Sequence, residues 1–282
     1  MSNNQHYTLI TSKHNLFDLK LKEVWRYRDL IWLFTKRYFS VQYKQTILGP
    51  AWLFLSPILS SLIYCFIFGG IAGMSTDGIP QILFYMSGNA IWTFFSNCLT
   101  HNANTFTSNA GMFGKVYFPR LTVPISNVLS AIIKFGIQMI MTVVFLVYYC
   151  ICGEVTPNWP ELILIPFILV ELGLMGMGLG IIISSLTTKY RDLTVLVGFG
   201  VQLWMYITPV VYPMSQVGDH WYKDLLFINP VTAPVEVFRH ALLGQGIIHT
   251  GYLLWSVVFT VVVTILGIMI FNKVEKTFMD TV

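Results

Sequence analysis

Residues 23–57 read E-V-W-R-Y-R-D-L-I-W-L-F-T-K-R-Y-F-S-V-Q-Y-K-Q-T-I-L-G-P-A-W-L-F-L-S-P. Wound as a helix, Arg26, Asp29, Lys36, Arg37, Ser40 and Lys44 share one stripe. Val24, Tyr27, Ile31, Trp32, Phe34, Tyr38 and Phe39 cover the other side, with Arg28 and Leu33 interrupting the pattern. A basic face opposite an aromatic face is how a helix lies in a membrane interface. Gly49-Pro50 closes the helix and a fully apolar run follows. The stretch therefore predicts a membrane-surface helix over 23–44 joined directly to a transmembrane span, a layout suited to being pushed from the cytoplasm.

Composition agrees. The chain is 55% hydrophobic and 11% charged, with a mean hydropathy of +0.66, whereas a soluble domain carries about 25% charged residues. This predicts an all-α, polytopic membrane protein. Spans of about 20 apolar residues are expected at 51–73, 82–103, 123–151, 162–186, 193–211 and 252–271, six in all. Lys13, Lys20, Lys22, Arg26, Arg28, Lys36, Arg37 and Lys44 precede the first span. Lys115 and Arg120 follow the second, Lys189 and Arg191 the fourth, and Lys273 and Lys276 the sixth. The opposite loops hold Asp77, Glu154 and Glu161, and of cations only Lys223 and Arg239. The positive-inside rule then puts both termini in the cytoplasm. The net charge of +4 is distributed as topology requires and gives no nucleic-acid signal. Polar sequence precedes the first span, so no cleavable leader is expected, and residues 1–22 read as a flexible polar segment. Cys65, Cys98, Cys150 and Cys152 lie in or at the ends of apolar runs and read as small hydrophobes, without metal-site spacing.

The outer segment 212–251 is not a plain loop. Pro234 to Leu243 reads as a short helix, with Pro at its start and Gly244 just past its end. Val235, Phe238, Leu242 and Leu243 form its apolar face, and Leu225–Ile228 is a second short apolar piece. Both are too short to span and are expected as re-entrant or interfacial helices over the outer mouth, or as helices resting on lipid.

Two ionisable residues fall within spans, Lys134 in the third and Glu171 in the fourth. A charge there needs a partner or a wet cavity. The two helices are consecutive and antiparallel, so one reading has them meet and fix packing; the other has them line a polar path. Gly176 and Gly180 make a G-x-x-x-G step in the fourth span, which predicts close helix packing. Trp92 and Phe95 in the second span, and Trp204, Tyr206, Tyr212 and Trp221 around the fifth, read either as membrane anchors or as ring faces for glycan to slide along. Gly111–Lys115 has the wrong spacing for a phosphate loop, and no other phosphate-loop, nucleophile-elbow or metalloprotease motif occurs. No cofactor, metal or catalytic residue is expected in this chain, and its six histidines read as solvated or interfacial.

On W-R-Y-R-D-L (25–30), Y-K-Q-T-I-L-G-P-A-W (43–52), F-G-K-V-Y-F-P-R-L (113–121), T-K-Y-R-D-L (188–193), T-P-V-V-Y-P (208–213), N-P-V-T (229–232) and V-E-K-T-F (274–278), the chain resembles the permease subunit of polysaccharide-exporting ABC transporters of the Wzm, O-antigen type. The resemblance runs from about residue 23 to the C-terminus and rests on the order and spacing of these motifs. It implies a transmembrane domain over 23–282 and a homodimer. It also implies two cytoplasmic ABC ATPase subunits that bind ATP and Mg, and a lipid-linked glycan, undecaprenyl-diphosphate-linked or other, as cargo in a bacterial inner membrane. Trp25, Arg26, Arg28, Lys36, Arg37 and Lys44 would belong to an interface helix. Asn109, Phe113, Lys115, Tyr117 and Arg120 would belong to the loop that couples to the ATPase. Trp92, Phe95, Lys134, Glu171, Trp204, Tyr206 and Tyr212 are channel candidates, and Pro213, Trp221, Pro234 and Phe238 outer-gate candidates.

Arg37, Lys44, Lys115 and Arg120 are the candidates for drawing in the lipid diphosphate, since juxtamembrane cations attract anionic heads; they serve equally as topology and headgroup contacts. Capsule and teichoic acid stand beside O antigen as cargo. Three other readings stay open: an exporter of a small molecule such as a drug, ion or haem, a membrane enzyme of glycolipid synthesis, and a scaffold or channel working without ATP.

Overall fold

The computed structural model describes residues 21–44, 46–188, 190, 192–218 and 221–281, with backbone alone at 21, 222 and 275–281. Among these residues every regular element is helical. Residues 1–20, Gln45, Lys189, Arg191, Asp219, His220 and Val282 fall outside, and with them most of the polar N-terminal segment and four of the cations used to orient the spans, Lys13, Lys20, Lys189 and Arg191.

The surface helix forms in two pieces, Leu21–Arg26 (α1) and Arg28–Tyr43 (α2), parted at Tyr27, whose φ of −95° and ψ of 23° leave helical geometry. Lys44 turns extended and the chain enters Gly49–Ala51, a single 3-10 turn with Pro50 at its start. Trp52–Tyr64 (α3) follows and widens into π-helical turns over Cys65–Ile71. Gln81–Ala103 (α4), Thr105–Phe113 (α5) and Thr122–Ile151 (α6) come next. A 3-10 turn at Trp159–Leu164 leads into Ile165–Thr187 (α7). Leu193–Ile207 (α8), Tyr222–Ile228 (α9), Thr232–Leu243 (α10) and Thr250–Thr281 (α11) complete the described chain.

Four stretches are long and apolar enough to cross a membrane: Gly49–Ile71, Thr122–Ile151, Trp159–Thr187 and Thr250–Val274. The two other expected spans differ in kind. α4 has the length, but Ser87, Asn89, Thr93, Ser96, Asn97, Thr100, His101 and Asn102 dilute its apolar content. α8 is apolar but ends at Ile207, four residues short of the expected 211. Pro209 explains the stop: the residue before a proline is pushed out of the helical region, and Thr208 is extended, with φ −97° and ψ 140°. Fifteen residues make about 22 Å of helix, against a hydrocarbon core of about 30 Å.

α4 is the centre of the molecule. α7 packs along it, α11 packs on α7, α6 lies on another side of α4, and α2 lies along α6. The glycines of α7 make this possible. A Cβ at Gly176 would sit 2.7 Å from the Cβ of Cys98, and one at Gly180 would sit 2.5 Å from the Cβ of Asn102. Gly178, on the opposite face, lies against the backbone of Thr264 in α11. The expected G-x-x-x-G step thus seats α7 on α4, and an offset glycine seats α11 on α7. At such separations backbone atoms approach closely and dispersion contacts accumulate without side-chain entropy loss.

α10 departs from expectation. It is buried on every side, including Pro234, Phe238, Glu236 and Arg239, so it is a core helix rather than one resting on lipid. It begins at Thr232, two residues before the expected Pro234, and ends as expected on Gly244, in the left-handed region at φ 72°. Asn229 holds its approach, donating to Thr208 Oγ1 at 2.9 Å and accepting from the Val231 amide at 3.1 Å and from the Trp204 indole at 3.0 Å.

Candidate functional site

Three places carry the chemistry. The first is the end of the molecule that bears the surface helix. Val24 and Ile31 of that helix join Phe106 and Phe113 of α5, Phe118 and Leu121 of the following turn, Val123 of α6, Met177 and Ile181 of α7 and Phe271 of α11 in one apolar cluster. Tyr27, Leu30 and Phe34 pack on it, and Phe106 stacks on Phe271 at 4.7 Å. The aromatic side of the surface helix is therefore turned onto its own chain, where a membrane-facing side was expected. Trp25 and Trp32 remain exposed, as do Arg26, Arg28, Lys36, Arg37 and Lys44. The loop candidates divide in the same way. Phe113 is buried and Arg120 lies over its ring at 5.5 Å, itself buried. Asn109 is half-buried and donates to Thr105 O at 2.9 Å. Lys115, Val116 and Tyr117 form the exposed tip. α1, α2, α5 and the tip thus hang on a single packed unit.

The second place is a cleft between α2, α3, α4 and α6. It has a volume of about 430 Å³ and is lined by Gln42, Tyr43, Trp52, Leu53, Ser56, Pro57, Thr93, Asn97, Lys134 and Gln138. Lys134 starts about 18 Å along α6, at 1.5 Å per residue from Thr122, but its stem reaches back towards the surface helix. Its ammonium donates to the Tyr38 hydroxyl at 2.8 Å and lies 4.8 Å from the centre of that ring. Tyr38 in turn meets His101 Nε2 at 2.8 Å. Because an ammonium only donates, the Tyr38 proton points to His101 Nε2, which accepts. The chain Lys134–Tyr38–His101 joins α6, α2 and α4.

Glu171 has a different neighbourhood. It accepts from Ser256 of α11 at 2.5 Å, is 4% exposed, and its second oxygen has no hydrogen-bond partner. Among the described residues Lys134 and Glu171 form no ion pair, so the expected meeting does not occur. The registers of α6 and α7 direct one group to α2 and the other to α11.

The third place is the far end. Arg239 and Glu236 pair at 2.9 Å with both side chains 2% exposed. Arg239 also donates to Pro209 O at 2.9 Å and Val210 O at 3.1 Å, and lies 4.0 Å over the Phe84 ring. Arg239, expected on the short helix of the outer segment, ties α10 to the end of α8 and to α4. Glu161 meets His240 Nδ1 at 2.5 Å, and Asp77 accepts from Ser215. Among the described residues, His101 and His240 therefore have hydrogen-bonding partners rather than being simply solvated. Of the outer-gate candidates, Pro213, Pro234 and Phe238 are buried and Trp221 is exposed. Of the aromatic channel candidates, Trp92, Phe95 and Trp204 pack on one another, Phe95 against Trp204 edge-on at 5.3 Å. Trp92 and Phe95 are buried within this chain, and Trp204 is half-buried. Tyr206 is exposed, and Tyr212 donates to its carbonyl at 3.3 Å. No cluster of three or more metal-ligating side chains occurs among the described residues.

Sequence reasoning singled out Lys134 but missed Tyr38 and His101 as its companions. Their one legible signal is a hydroxyl on an otherwise apolar face of the surface helix.

Residues 29–243 match the model of the ABC-2 type transporter family. An O-antigen export system permease protein, RfbA, of Klebsiella pneumoniae is 28% identical over 253 residues, covering 89% of this chain and 94% of that protein. RfbA of Myxococcus xanthus is 26% identical over 220 residues, covering 78% and 82% respectively. A polysialic acid transport protein, KpsM, of Escherichia coli is 22% identical over 237 residues, covering 83% and 89%. With the matched region running from the surface helix to the last residue of α10, the chain belongs to the ABC-2 type transporter membrane family.

Proposed function

We propose that this chain is the permease subunit of an ATP-driven exporter that moves a lipid-linked polysaccharide across the bacterial cytoplasmic membrane. The observation that carries the reading is the family match together with relatives named for O-antigen and polysialic acid export, aligned over most of both chains. O antigen is the favoured cargo because the relatives named for it share more identity than those named for polysialic acid. Capsular polysaccharide comes next and teichoic acid after it.

The fold supports the finer points. Six spans result if α4 and α8 cross alongside the four apolar helices. Several of the polar groups of α4 are met inside the protein, which favours a crossing: Asn102 donates to Cys98 O and accepts from Asn127, and Ser87 donates to Phe84 O. An even count leaves both termini in the cytoplasm. α1 and α2 act as the interface helix and α5 with its exposed tip as the coupling element. Because both share one apolar cluster, a push on Lys115–Tyr117 is carried to the ends of α6, α7 and α11. The push comes from a separate pair of ATPase subunits, which hold ATP and Mg. A second copy of the chain closes the path: the outer faces of α3 and α8 are apolar and exposed over most of their length.

Depletion of the chain in its native host, followed by isolation of lipid-linked glycans from the two membrane faces, tests the reading. Loss of surface polysaccharide with build-up of finished, inward-facing glycolipid is expected. Normal surface glycan overturns it in favour of a small-molecule cargo, and loss without build-up overturns it in favour of synthesis.

A further inference from the structure

We infer that the cleft between α2, α3, α4 and α6 binds the phosphate head of a lipid, with Lys134 as the principal anion contact. The inference rests on the exporter reading for its choice of lipid, a polyprenyl diphosphate carrying the glycan.

The cleft holds unmet hydrogen-bonding capacity. An ammonium has three donors. Among the described residues the Lys134 ammonium has one hydrogen-bond acceptor, Tyr38, and no carboxylate beside it. Gln42, Asn97 and Gln138 line the same cleft, and none makes a side-chain hydrogen bond within the described chain. Three amides and a cation with free donors, gathered in a space of about 430 Å³, suit an anion with several acceptor oxygens. Charge-assisted bonds to phosphate are the stronger class of hydrogen bond. Trp52, Leu53 and Pro57 of α3 add an apolar side to the cleft, next to the hydroxyls of Tyr43, Ser56 and Thr93, and α3 is the least covered by its own chain of the four apolar spans. A polar floor with an apolar, lipid-facing wall matches a ligand with a charged head and a hydrocarbon tail. An anion that enters meets α2 on one side and α4 and α6 on the others. The surface helix would thus sense whether the cleft is filled, through the Tyr38 contact.

Both a polyprenyl diphosphate and an ordinary phospholipid carry a phosphate head on an apolar tail, so the test separates them. The permease–ATPase complex, reconstituted in phosphatidylcholine nanodiscs, is titrated with undecaprenyl diphosphate and separately with phosphatidylglycerol, and bound lipid is read by native mass spectrometry. Lys134→Gln is expected to weaken undecaprenyl diphosphate binding at least tenfold, equivalent to about 1.4 kcal/mol, and Lys134→Arg to retain most of it. Asn97→Leu replaces one of the cleft's amides by an apolar side chain without touching the Lys134–Tyr38 contact and is expected to weaken binding in a complex that remains assembled. Tighter binding of the diphosphate than of phosphatidylglycerol assigns the site to substrate. Equal binding, with both lost in Lys134→Gln, supports a phosphate-head site but assigns it to bilayer phospholipid. Unchanged affinity in both Lys134→Gln and Asn97→Leu overturns the inference. That failure leaves the exporter reading intact if depletion of the chain still strands glycolipid on the inner face.

Discussion

The two ends of the molecule treat an inward-turned cation, buried at Arg239 and half-buried at Lys134, in opposite ways. At the far end Arg239 faces Glu236, two backbone carbonyls and the Phe84 ring, and only its Nε is without a partner. At the end bearing the surface helix, Lys134 has one hydroxyl, one ring face and an open cleft. A cation in apolar surroundings must be compensated, by fixed partners or by a visitor. The comparison teaches that Arg239 is compensated by the fold, so its role is structural. Lys134 is compensated only in part, which leaves room for a ligand.

The largest effect expected from this contrast is at Arg239. Arg239→Met leaves the Glu236 carboxylate buried without its partner, and breaking a buried pair costs about 3–5 kcal/mol. A lowered midpoint of thermal aggregation in detergent would register it, and the double variant Glu236→Leu/Arg239→Met should recover much of the loss. Equal damage from the double variant would show that the backbone contacts to Pro209 and Val210, rather than the pair, hold α10.

Next comes Gly180→Ala, which tests whether the close α4–α7 seam fixes both ends relative to one another. Its Cβ would meet Asn102 Cβ at 2.5 Å, and overpacking of this kind costs about 1–3 kcal/mol. The same thermal assay reads it, and a stability within 0.5 kcal/mol of wild type would mean that the seam yields.

Tyr38→Phe sharpens the contrast at smaller scale. It removes the hydroxyl between Lys134 and His101 while keeping the ring face. The expected change in stability is about 0.5–1.5 kcal/mol, with export in cells reduced because Lys134 is no longer tethered to α2. Export at the wild-type level would detach the surface helix from events in the cleft. Smallest in stability is Lys115→Glu at the exposed tip, expected to shift it by less than about 0.5 kcal/mol while uncoupling ATP hydrolysis from export. A preserved ratio of glycan exported to ATP hydrolysed would remove Lys115 from the coupling element.

Much of the fold was legible because apolar length and punctuation act locally. Gly49-Pro50, Gly244 and the run over 123–151 lie where a reader of the chain would put their boundaries. What escaped was long-range. Tyr38 and Lys134 are 96 residues apart, and no periodicity marks them as neighbours. Glu236 and Arg239 were hidden for a related reason: an acidic and a basic residue one turn apart suit a solvated helix face as well as a buried pair. Trp92, Phe95 and Trp204 misled in the opposite direction, because ring density is equally suited to lining a path and to filling a core. Asn109, Lys115 and Tyr117 were legible as candidates, but which of the loop's side chains point outward depended on Phe113 and Arg120 folding over each other.

α3 has a consequence for how such a protein changes over generations. Only 6% of its most apolar window is buried within the chain, against 44% for the span that contains α7. Exchanging one apolar residue for another along α3 costs the subunit's own fold almost nothing, whereas α7 is locked by glycines that admit no Cβ. Variation can therefore accumulate on α3 while the α4–α7 seam stays fixed, so a lineage can reshape the surface this helix offers to lipids and neighbours without relearning how to fold.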